Sequence, residues 1–468
     1  VLHVTERRAV TRSDERFLAA LADAMPADAL LTEVPSRYTH DEALGVEPVT
    51  PLAVALPGDE TQIARLVALC RAHARPLVPR GGGTGLAGGA LPHPNGIVVS
   101  LERMARVIEV DEDAGWARVQ PGITLADLDD ALVTAGLCYP VYPGELSSTV
   151  GGNVATNAGG MRAVRFGTTR HNVLGLRLVT GGGDLVSTHG PLAKYSSGYD
   201  LTQLVIGSEG TLGLVTEVTV RLRPRAGTSA LLVGAFGSLT VLPRAVARLL
   251  ASGLEPALCE YVDSTALTAM AEAAGLALGI PPSVAGHAQA YLIVEVDASD
   301  DDLCELLAAR AGELLLAHGA LEVFQLQRSQ AEALIAARER AFWTVKALGA
   351  QEILDMVVPR SHMAELLEAA QALQCATGVL IAGTGHVGDG NVHFSILAPE
   401  QGRAAEIAHT LIARAISLGG AVSGEHGIGV AKRDALLAHE DPTRVALQRA
   451  IKHAFDPDGI CNPGKGAI

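Results

Sequence analysis

The chain has 468 residues, 48% of them hydrophobic, and a formal charge of 36 − 51 = −15. That length suggests two or three domains with sizeable cores, and the acidic balance argues against nucleic acid as a partner. No run of 18 apolar residues occurs, so no integral membrane segment is expected.

The opening stretch, Val-Leu-His-Val-Thr-Glu-Arg-Arg, lacks the apolar core of a signal peptide. The six cysteines, Cys70, Cys138, Cys259, Cys304, Cys375 and Cys461, lie far apart with no C-x-x-C. Iron–sulfur and zinc-ribbon sites are therefore not expected, and a reduced cytoplasm is the expected setting. A helix is predicted from Asp14 to Ala24, followed by a loop rich in proline and charge. Val54-Ala-Leu56 reads as a strand. Asp59 is a good helix cap with Gln62 three residues on, and Ile63, Leu66, Val67 and Cys70 share one helical face.

Next comes Pro79-Arg80-Gly81-Gly82-Gly83-Thr84-Gly85-Leu86-Ala87-Gly88-Gly89, between the apolar runs Pro76–Val78 and Gly96–Leu101. A glycine loop between strands lets backbone N–H groups approach an anion, and a phosphate or pyrophosphate is the expected one. Gly83, Gly85 and Gly88 form a literal G-x-G-x-x-G. A dinucleotide-binding Rossmann unit needs a helix to open there, and Pro92 and Pro94 forbid it. The loop is expected to bind phosphates with its own backbone alone, which points from NAD to another nucleotide cofactor.

Val107–Val110 and Trp116–Val119 flank a hairpin signal. Thr124 caps a helix that Gly136 ends. From Tyr142 to Gly160 small residues dominate without helical or strand periodicity, which suits a loop packed against a flat ligand. Val173–Val179 and Val215–Arg221 are strands, and Pro224 closes this half. Beyond about residue 230, alternating strands such as Ala290–Val296 separate Ala/Leu-rich helices. Residues 225–430 read as a second α+β domain with an antiparallel sheet covered by helices. The expected division is 1–224, 225–430, and a C-terminal segment 431–468 that returns to the first domain.

Within Gly385-His386-Val-Gly-Asp-Gly-Asn-Val-His393, Asp389-Gly390 is a two-residue turn signal. That register predicts His386 directly opposite His393, on one face of a hairpin. Two imidazoles so placed can share a metal ion, with Glu425 as a third ligand. Such a set suits Zn²⁺ with an open position, and Mn²⁺ or Fe²⁺ stay open. The alternative is two stacked strand histidines and a solvated glutamate. His426, between glycine and Glu425, has the ordinary pKa of a general base; the alternative is a packed or exposed histidine.

Six stretches carry a resemblance: Pro-Arg-Gly-Gly-Gly-Thr-Gly, Ser-Ser-Thr-Val-Gly-Gly-Asn-Val-Ala-Thr-Asn-Ala-Gly-Gly, Ile-Gly-Ser-Glu-Gly-Thr-Leu-Gly, Gly-His-Val-Gly-Asp-Gly-Asn-Val-His, Gly-Glu-His-Gly-Ile-Gly and Asn-Pro-Gly-Lys. From about residue 40 onward the chain resembles the FAD-linked D-2-hydroxyacid dehydrogenases of the vanillyl-alcohol oxidase superfamily. That family includes D-lactate dehydrogenase, the glycolate oxidase flavoprotein subunit and D-2-hydroxyglutarate dehydrogenase. The resemblance implies an α+β fold, with a two-subdomain FAD-binding domain and an antiparallel-sheet-and-helix substrate (cap) domain.

The resemblance further implies that Pro79, Arg80, Gly81, Gly82, Gly83, Thr84 and Gly85 hold the FAD pyrophosphate. Pro143, Ser148, Gly151, Gly152, Asn153, Asn157, Gly159, Gly160 and Gly167 would line the flavin. Glu209, Gly210 and Val215 would lie along the cofactor, and Asn462 near the ring. Some relatives bind flavin covalently through a histidine in the glycine loop; Thr84 here implies non-covalent FAD. His386, His393 and Glu425 would bind a divalent metal, His426 would be the base, and Arg338 would take the substrate carboxylate. The implied partners are a small 2-hydroxy acid and an electron acceptor, whether quinone, cytochrome or electron-transfer flavoprotein. Through its electron acceptor the chain would be peripheral to the membrane, and a homodimer is compatible.

The chain departs from the hydroxyglutarate enzymes. It has Phe342 where they carry threonine, no basic residue in Glu352–Pro359, and Ser395 where they have asparagine. A monocarboxylate with an apolar or small side chain fits better than a dicarboxylate. The rival reading outside the class is a non-catalytic flavin or metal electron-transfer module.

Overall fold

A computed structural model describes residues 11–467. The opening stretch Val1–Arg8, assessed above for a signal peptide, lies outside the described residues. No helix among the described residues is long and apolar enough to cross a membrane. All six cysteines are free thiols.

The first sheet has four strands in the order Leu30–Leu31, Ala53–Ala55, Ile97–Ser100, Leu77–Arg80, the last three mutually parallel. The helix Glu60–Ala72 carries the chain from Ala53–Ala55 to Leu77–Arg80, the two strands that flank Ile97–Ser100. Asp59 caps that helix, accepting from Gln62 N at 2.9 Å. Ile63, Leu66, Val67 and Cys70 are fully buried on its inner face, each worth about 1.5–3 kcal/mol for a large aliphatic side chain. Leu77–Arg80, at the edge of this sheet, leads into the half-buried glycine loop that follows it.

The second sheet is antiparallel, in the order Val107–Asp111, Trp116–Val119, Gly213–Arg221, Val173–Thr180, Leu185–Ser187. Beside it runs a helix, Val150–Thr156, that the lack of periodicity between 142 and 160 does not predict. Thr149 caps it, accepting from Gly152 N at 3.2 Å, and Asn157 ends it in a left-handed conformation. Its glycines disguise it: Gly151 stands where a Cβ would lie 2.5 Å from Pro121, so close packing selects a residue that local propensity disfavours.

The third sheet has seven antiparallel strands, in the order Glu322–Gln325, Thr228–Phe236, Ala290–Ala298, Leu258–Asp263, Leu380–Gly385, Asn391–Leu397, Glu352–Val357. Its period-2 alternation feeds two cores. Leu232, Leu292 and Val294 pack with the helices Val241–Ala251, Asp301–Ala317, Met363–Thr377 and Gln401–Ser417. Leu231, Val233 and Ile293 pack on the other face with Ser264–Ala274 and Arg328–Glu339.

The C-terminal segment returns to the first sheet. Leu77 N donates to Ile460 O at 2.9 Å and Asn462 N to Leu77 O at 2.8 Å. Lys452, 6% exposed, donates to Thr211 O at 2.6 Å, to Cys461 O at 2.7 Å and to Asp456. A buried ammonium with three acceptors fixes the tail against both sheets of the first domain.

Candidate active site

Two clefts meet. The first is lined by Pro79, Arg80, Gly81, Gly82, Gly83, Thr84, Gly85, Ser148, Gly151, Gly152, Asn153, Glu209, Gly210 and Val215. A second element stands beside the glycine loop here. A Cβ on Gly81 would lie 2.3 Å from Thr149 Oγ1, so the N-terminus of Val150–Thr156 packs directly against the glycine loop. A helix N-terminus favours anions. Ser148 Oγ and Asn153 Nδ2 are buried here without a hydrogen-bond partner, unfilled bonding capacity that suits a polar cofactor.

Arg80 folds back over its own loop. A Cβ on Gly83 would lie 1.9 Å from Arg80 Nη2, and Nη1 donates to His40 O at 2.7 Å. Burial pushes the Arg80 guanidinium below its ordinary pKa, against the opposing charge of Asp41. Glu209 accepts from Ile428 N at 2.7 Å and Gly429 N at 2.9 Å, so it ties the Glu425-bearing loop to this cleft. Burial raises its pKa, opposed by those amides.

Five of the expected cofactor residues line neither cleft as the protein stands. Asn157 Oδ1 accepts from Arg170 N at 3.0 Å. Asn462 Nδ2 donates to Glu209 O at 2.6 Å and Gly89 O at 2.9 Å. Gly160 lies where a Cβ would be 1.9 Å from Tyr142 O, and Gly167 packs on His171. Gly159 lies where a Cβ would be 2.5 Å from Glu425 Oε2, which places it behind the metal-type cluster.

The second cleft is lined at one end by Pro143, Arg338, His386, His393, Glu425 and His426. Only Thr84 and His426 among its lining residues also line the first cleft. The predicted hairpin register is overturned. Thr384, not His386, pairs with His393, and Val387–Asp389 forms a 3₁₀ turn closed by Gly390 at φ 79°. The connection is longer than a two-residue turn because His386 O accepts from Asp389 N at 2.9 Å and Asn391 N at 3.3 Å. His386 thus leaves the ladder, yet its ring still meets His393 edge-on, at 5.1 Å and 83°.

Glu425 Oε1 lies 2.9 Å from His386 Nε2 and 3.3 Å from His393 Nε2. Behind them are two buried carboxylates that sequence reasoning missed. Glu260 Oε1 is 2.6 Å from His386 Nδ1, and Glu260 Oε2 is 2.8 Å from Arg338 Nη2. A proton on Nδ1 facing Glu260 leaves the Nε2 lone pair to the cluster, as in carboxylate–histidine–metal arrangements. Arg338 is therefore ion-paired with Glu260, while its Nε is buried without a hydrogen-bond partner. Arg340 caps the helix end and is exposed.

Asp355, directly opposite His393 in the sheet, is fully buried. Its Oδ2 accepts from Gly424 N and Glu425 N at 3.0 Å, His426 N at 2.9 Å and Ser423 Oγ at 2.7 Å. This one carboxylate fixes the backbone that presents Glu425 and His426. The only hint in sequence is an aspartate inside an apolar strand.

Burial alone would raise Asp355, but the charges of His426, Lys432 and His393 hold it well below the carboxylate range. Burial likewise opposes, and His386 outweighs, a depressed Glu425. Burial opposes, and Glu260 and Glu425 outweigh, a His386 raised well above its ordinary value. His426 is pushed down to about 4, chiefly by burial. Its ring stacks on His393 at 4.9 Å and 7°.

His386, His393 and Glu425 offer ligand atoms within 4.8 Å of one another, as do Asp355, His393 and His426. The second set is a poor cation site, since Lys432 Nζ stands 3.3 Å from Asp355 Oδ2 and backbone amides fill that oxygen. In the first set, His386 Nε2 and His393 Nε2 both face Glu425 Oε1, a contact that needs a proton or cation between each ring and the carboxylate. That donor set fits a divalent metal.

Comparison with known proteins matches residues 224–466 to the family of FAD linked oxidases, C-terminal domain, and residues 51–189 to an FAD binding domain. The chain is 46% identical over 431 residues to an uncharacterized FAD-linked oxidoreductase of Mycobacterium tuberculosis, covering 92% of this chain and 94% of the relative. It is 36% identical to glycolate oxidase subunit GlcD of Bacillus subtilis (89% and 88% covered) and 33% identical to D-lactate dehydrogenase of Anaerostipes hadrus (92% and 93% covered). The structure of p-cresol methylhydroxylase superposes with a TM-score of 0.80 at 17% identity over 98% of both chains, which establishes the two-domain fold and nothing finer.

Proposed function

The chain belongs to the FAD-linked oxidases and is an FAD-dependent oxidoreductase of the D-lactate, glycolate and D-2-hydroxyglutarate dehydrogenase type; on that premise we propose that it oxidises a D-2-hydroxy monocarboxylate to the 2-oxo acid. The observation that carries this is the convergence of Arg338, the His386–His393–Glu425 cluster and His426 in one cleft that opens to the cofactor cleft at His426.

Bound FAD would supply the two-electron acceptor, and a divalent ion, Zn²⁺ or else Mn²⁺ or Fe²⁺, would supply Lewis acidity at the substrate hydroxyl. The glycine loop and the Val150–Thr156 N-terminus hold the FAD phosphates, with Thr84 leaving the flavin unattached. His386, His393 and Glu425 hold the ion. Arg338, steadied by Glu260, turns its remaining N–H groups to the substrate carboxylate and so orients the α-carbon. His426, held by the amide anchor of Asp355, takes the hydroxyl proton. Pro143 and Thr84 line the same cleft beside these groups.

Anaerobic mixing with D- and L-2-hydroxy acids tests this. The flavin absorbance should bleach with the D-enantiomers. A flavin that stays oxidised with every 2-hydroxy acid would favour the non-catalytic electron-transfer module. Turnover with O₂ compared with a dye then separates an oxidase from a dehydrogenase that passes electrons to a quinone, cytochrome or flavoprotein.

A further inference from the structure

We infer that the substrate side chain is bulky and apolar: an aryl group or an alkyl chain of several carbons, in preference to the methyl of lactate or a second carboxylate. This rests on the reading that Arg338 takes the substrate carboxylate and the His386 cluster its hydroxyl.

The floor of the cleft is the third sheet, and its register orders the side chains in rows. One row runs Asp355, His393, Thr384. The next on the same face runs Ile353, Ser395, Ala382. Two residues along a strand advance roughly 6.5–7 Å, well past the single methyl of lactate. A group leaving the hydroxyl end along the floor therefore crosses isoleucine, serine and alanine, all of which line the cleft.

The roof is apolar as well. Met161, Ala266, Ala341, Phe342, Trp343 and Val345 line it. Ala266 and Ala341 are 2% and 6% exposed, so short side chains stand where larger ones would fill the gap. Met161 adapts its shape to an irregular ligand. Phe342 and Trp343 meet edge-on at 5.0 Å and 75°, and Trp343 is 40% exposed. Apolar walls with a few convergent polar groups are the usual form of a site for a mainly apolar ligand.

Charge excludes the dicarboxylate. The cleft's Arg338 is ion-paired with Glu260. Lys346, on the helix beside it, pairs with Glu42 at 2.6 Å and lies 5.4 Å and 5.0 Å over the Phe342 and Trp343 rings. Glu145 and Glu339 also line the cleft. Among the described lining residues, a second substrate carboxylate would meet no uncommitted cation and two further acids.

The test is anaerobic flavin reduction by holoenzyme carrying FAD and Zn²⁺, with D-lactate, D-2-hydroxybutanoate, D-2-hydroxyoctanoate, D-3-phenyllactate and D-2-hydroxyglutarate. The efficiency should rise about fourfold per buried methylene, with octanoate and phenyllactate derivatives at least a hundredfold above lactate. Ala382→Leu, which fills the second row, should lower the phenyllactate-to-lactate ratio at least tenfold. If that variant fails to bind FAD, Ile353→Lys serves instead, raising the hydroxyglutarate-to-phenyllactate ratio at least tenfold. Efficiency that is flat or falls with length, or is highest for hydroxyglutarate, overturns the bulky class while leaving D-2-hydroxy acid oxidation intact. Failure of every D-2-hydroxy acid to bleach the flavin overturns both.

Discussion

His426 and Arg338 stand in one cleft but differ in when they act. A base is needed only as the proton leaves, so His426→Ala should lower the maximal rate of flavin reduction by roughly 10²–10⁴-fold. A carboxylate is held in ground and transition states alike, so Arg338→Ala should mainly raise KM. Anaerobic reduction rates over a range of substrate concentrations separate them; a His426→Ala enzyme with a near-normal limiting rate would remove that residue from proton transfer. Glu260 touches both His386 and Arg338. Glu260→Gln should therefore weaken metal affinity by roughly 10–100-fold and raise KM as well. Metal titration of the apo-protein, read by calorimetry, checks the first effect without turnover. An unchanged metal affinity would reduce Glu260 to a partner of Arg338 alone.

At the scale of elements, the site depends on short segments pressed together without side chains between them. The turn carrying Gly159 lies against Glu425. Gly159→Ala puts a methyl 2.5 Å from Glu425 Oε2, too close for either group to stay in place. This variant should lose most of its metal while keeping its FAD, since Gly159 does not line the first cleft. Elemental analysis beside the flavin spectrum reads both, and a full metal complement would show that Glu425 yields freely or is no ligand. Such glycines are visible in sequence only as a run of small residues. Which partner each admits depends on an element 266 positions away in this case, and no local pattern records that.

Across the whole molecule, the proposed cofactor cleft and the cluster are built on different domains. The glycine loop belongs to the first sheet, and His393 belongs to the third. Chelation should therefore abolish turnover and leave FAD bound, as absorbance and elemental analysis after dialysis will show. Flavin loss in step with the metal would mean the two sites stabilise each other. Stability should also carry a pH signature from the cap domain. Burial pushes Asp263 up from 3.8 to about 6, against its bonds from Ala266 N and Gly383 N. A carboxyl whose pKa is higher folded than unfolded takes up a proton on folding, so it contributes less as pH rises through about 6. Relative to Asp263→Asn, the wild-type advantage should be largest below 3.8 and shrink by at most about 3 kcal/mol above the folded pKa. Melting temperatures of both proteins across that range check the trend; a constant difference would mean the Asp263 pKa is not shifted.

Local chemistry wrote much of this protein into its sequence. The Asp59 cap, the buried face of Ile63, Leu66, Val67 and Cys70, and the alternation of Ala290–Val296 rest on neighbours within a few residues, and they stand in the structure where the pattern puts them. The six ordered motifs identified the family for a similar reason, since each is a contiguous stretch. What the tertiary structure decided is how distant residues meet. Val150–Thr156 is helical because Thr149 caps it and Pro121 packs on it, against its own glycines. His386 leaves the ladder because a 3₁₀ turn replaces the two-residue turn, and it reaches His393 and Glu425 all the same. Glu260 and Asp355 look like isolated acids in apolar strands. Only the order of strands in the sheet brings the one to His386 and Arg338 and the other beneath the loop of Glu425 and His426. A buried carboxylate must find its donors wherever the fold places them, and a linear sequence does not state those distances.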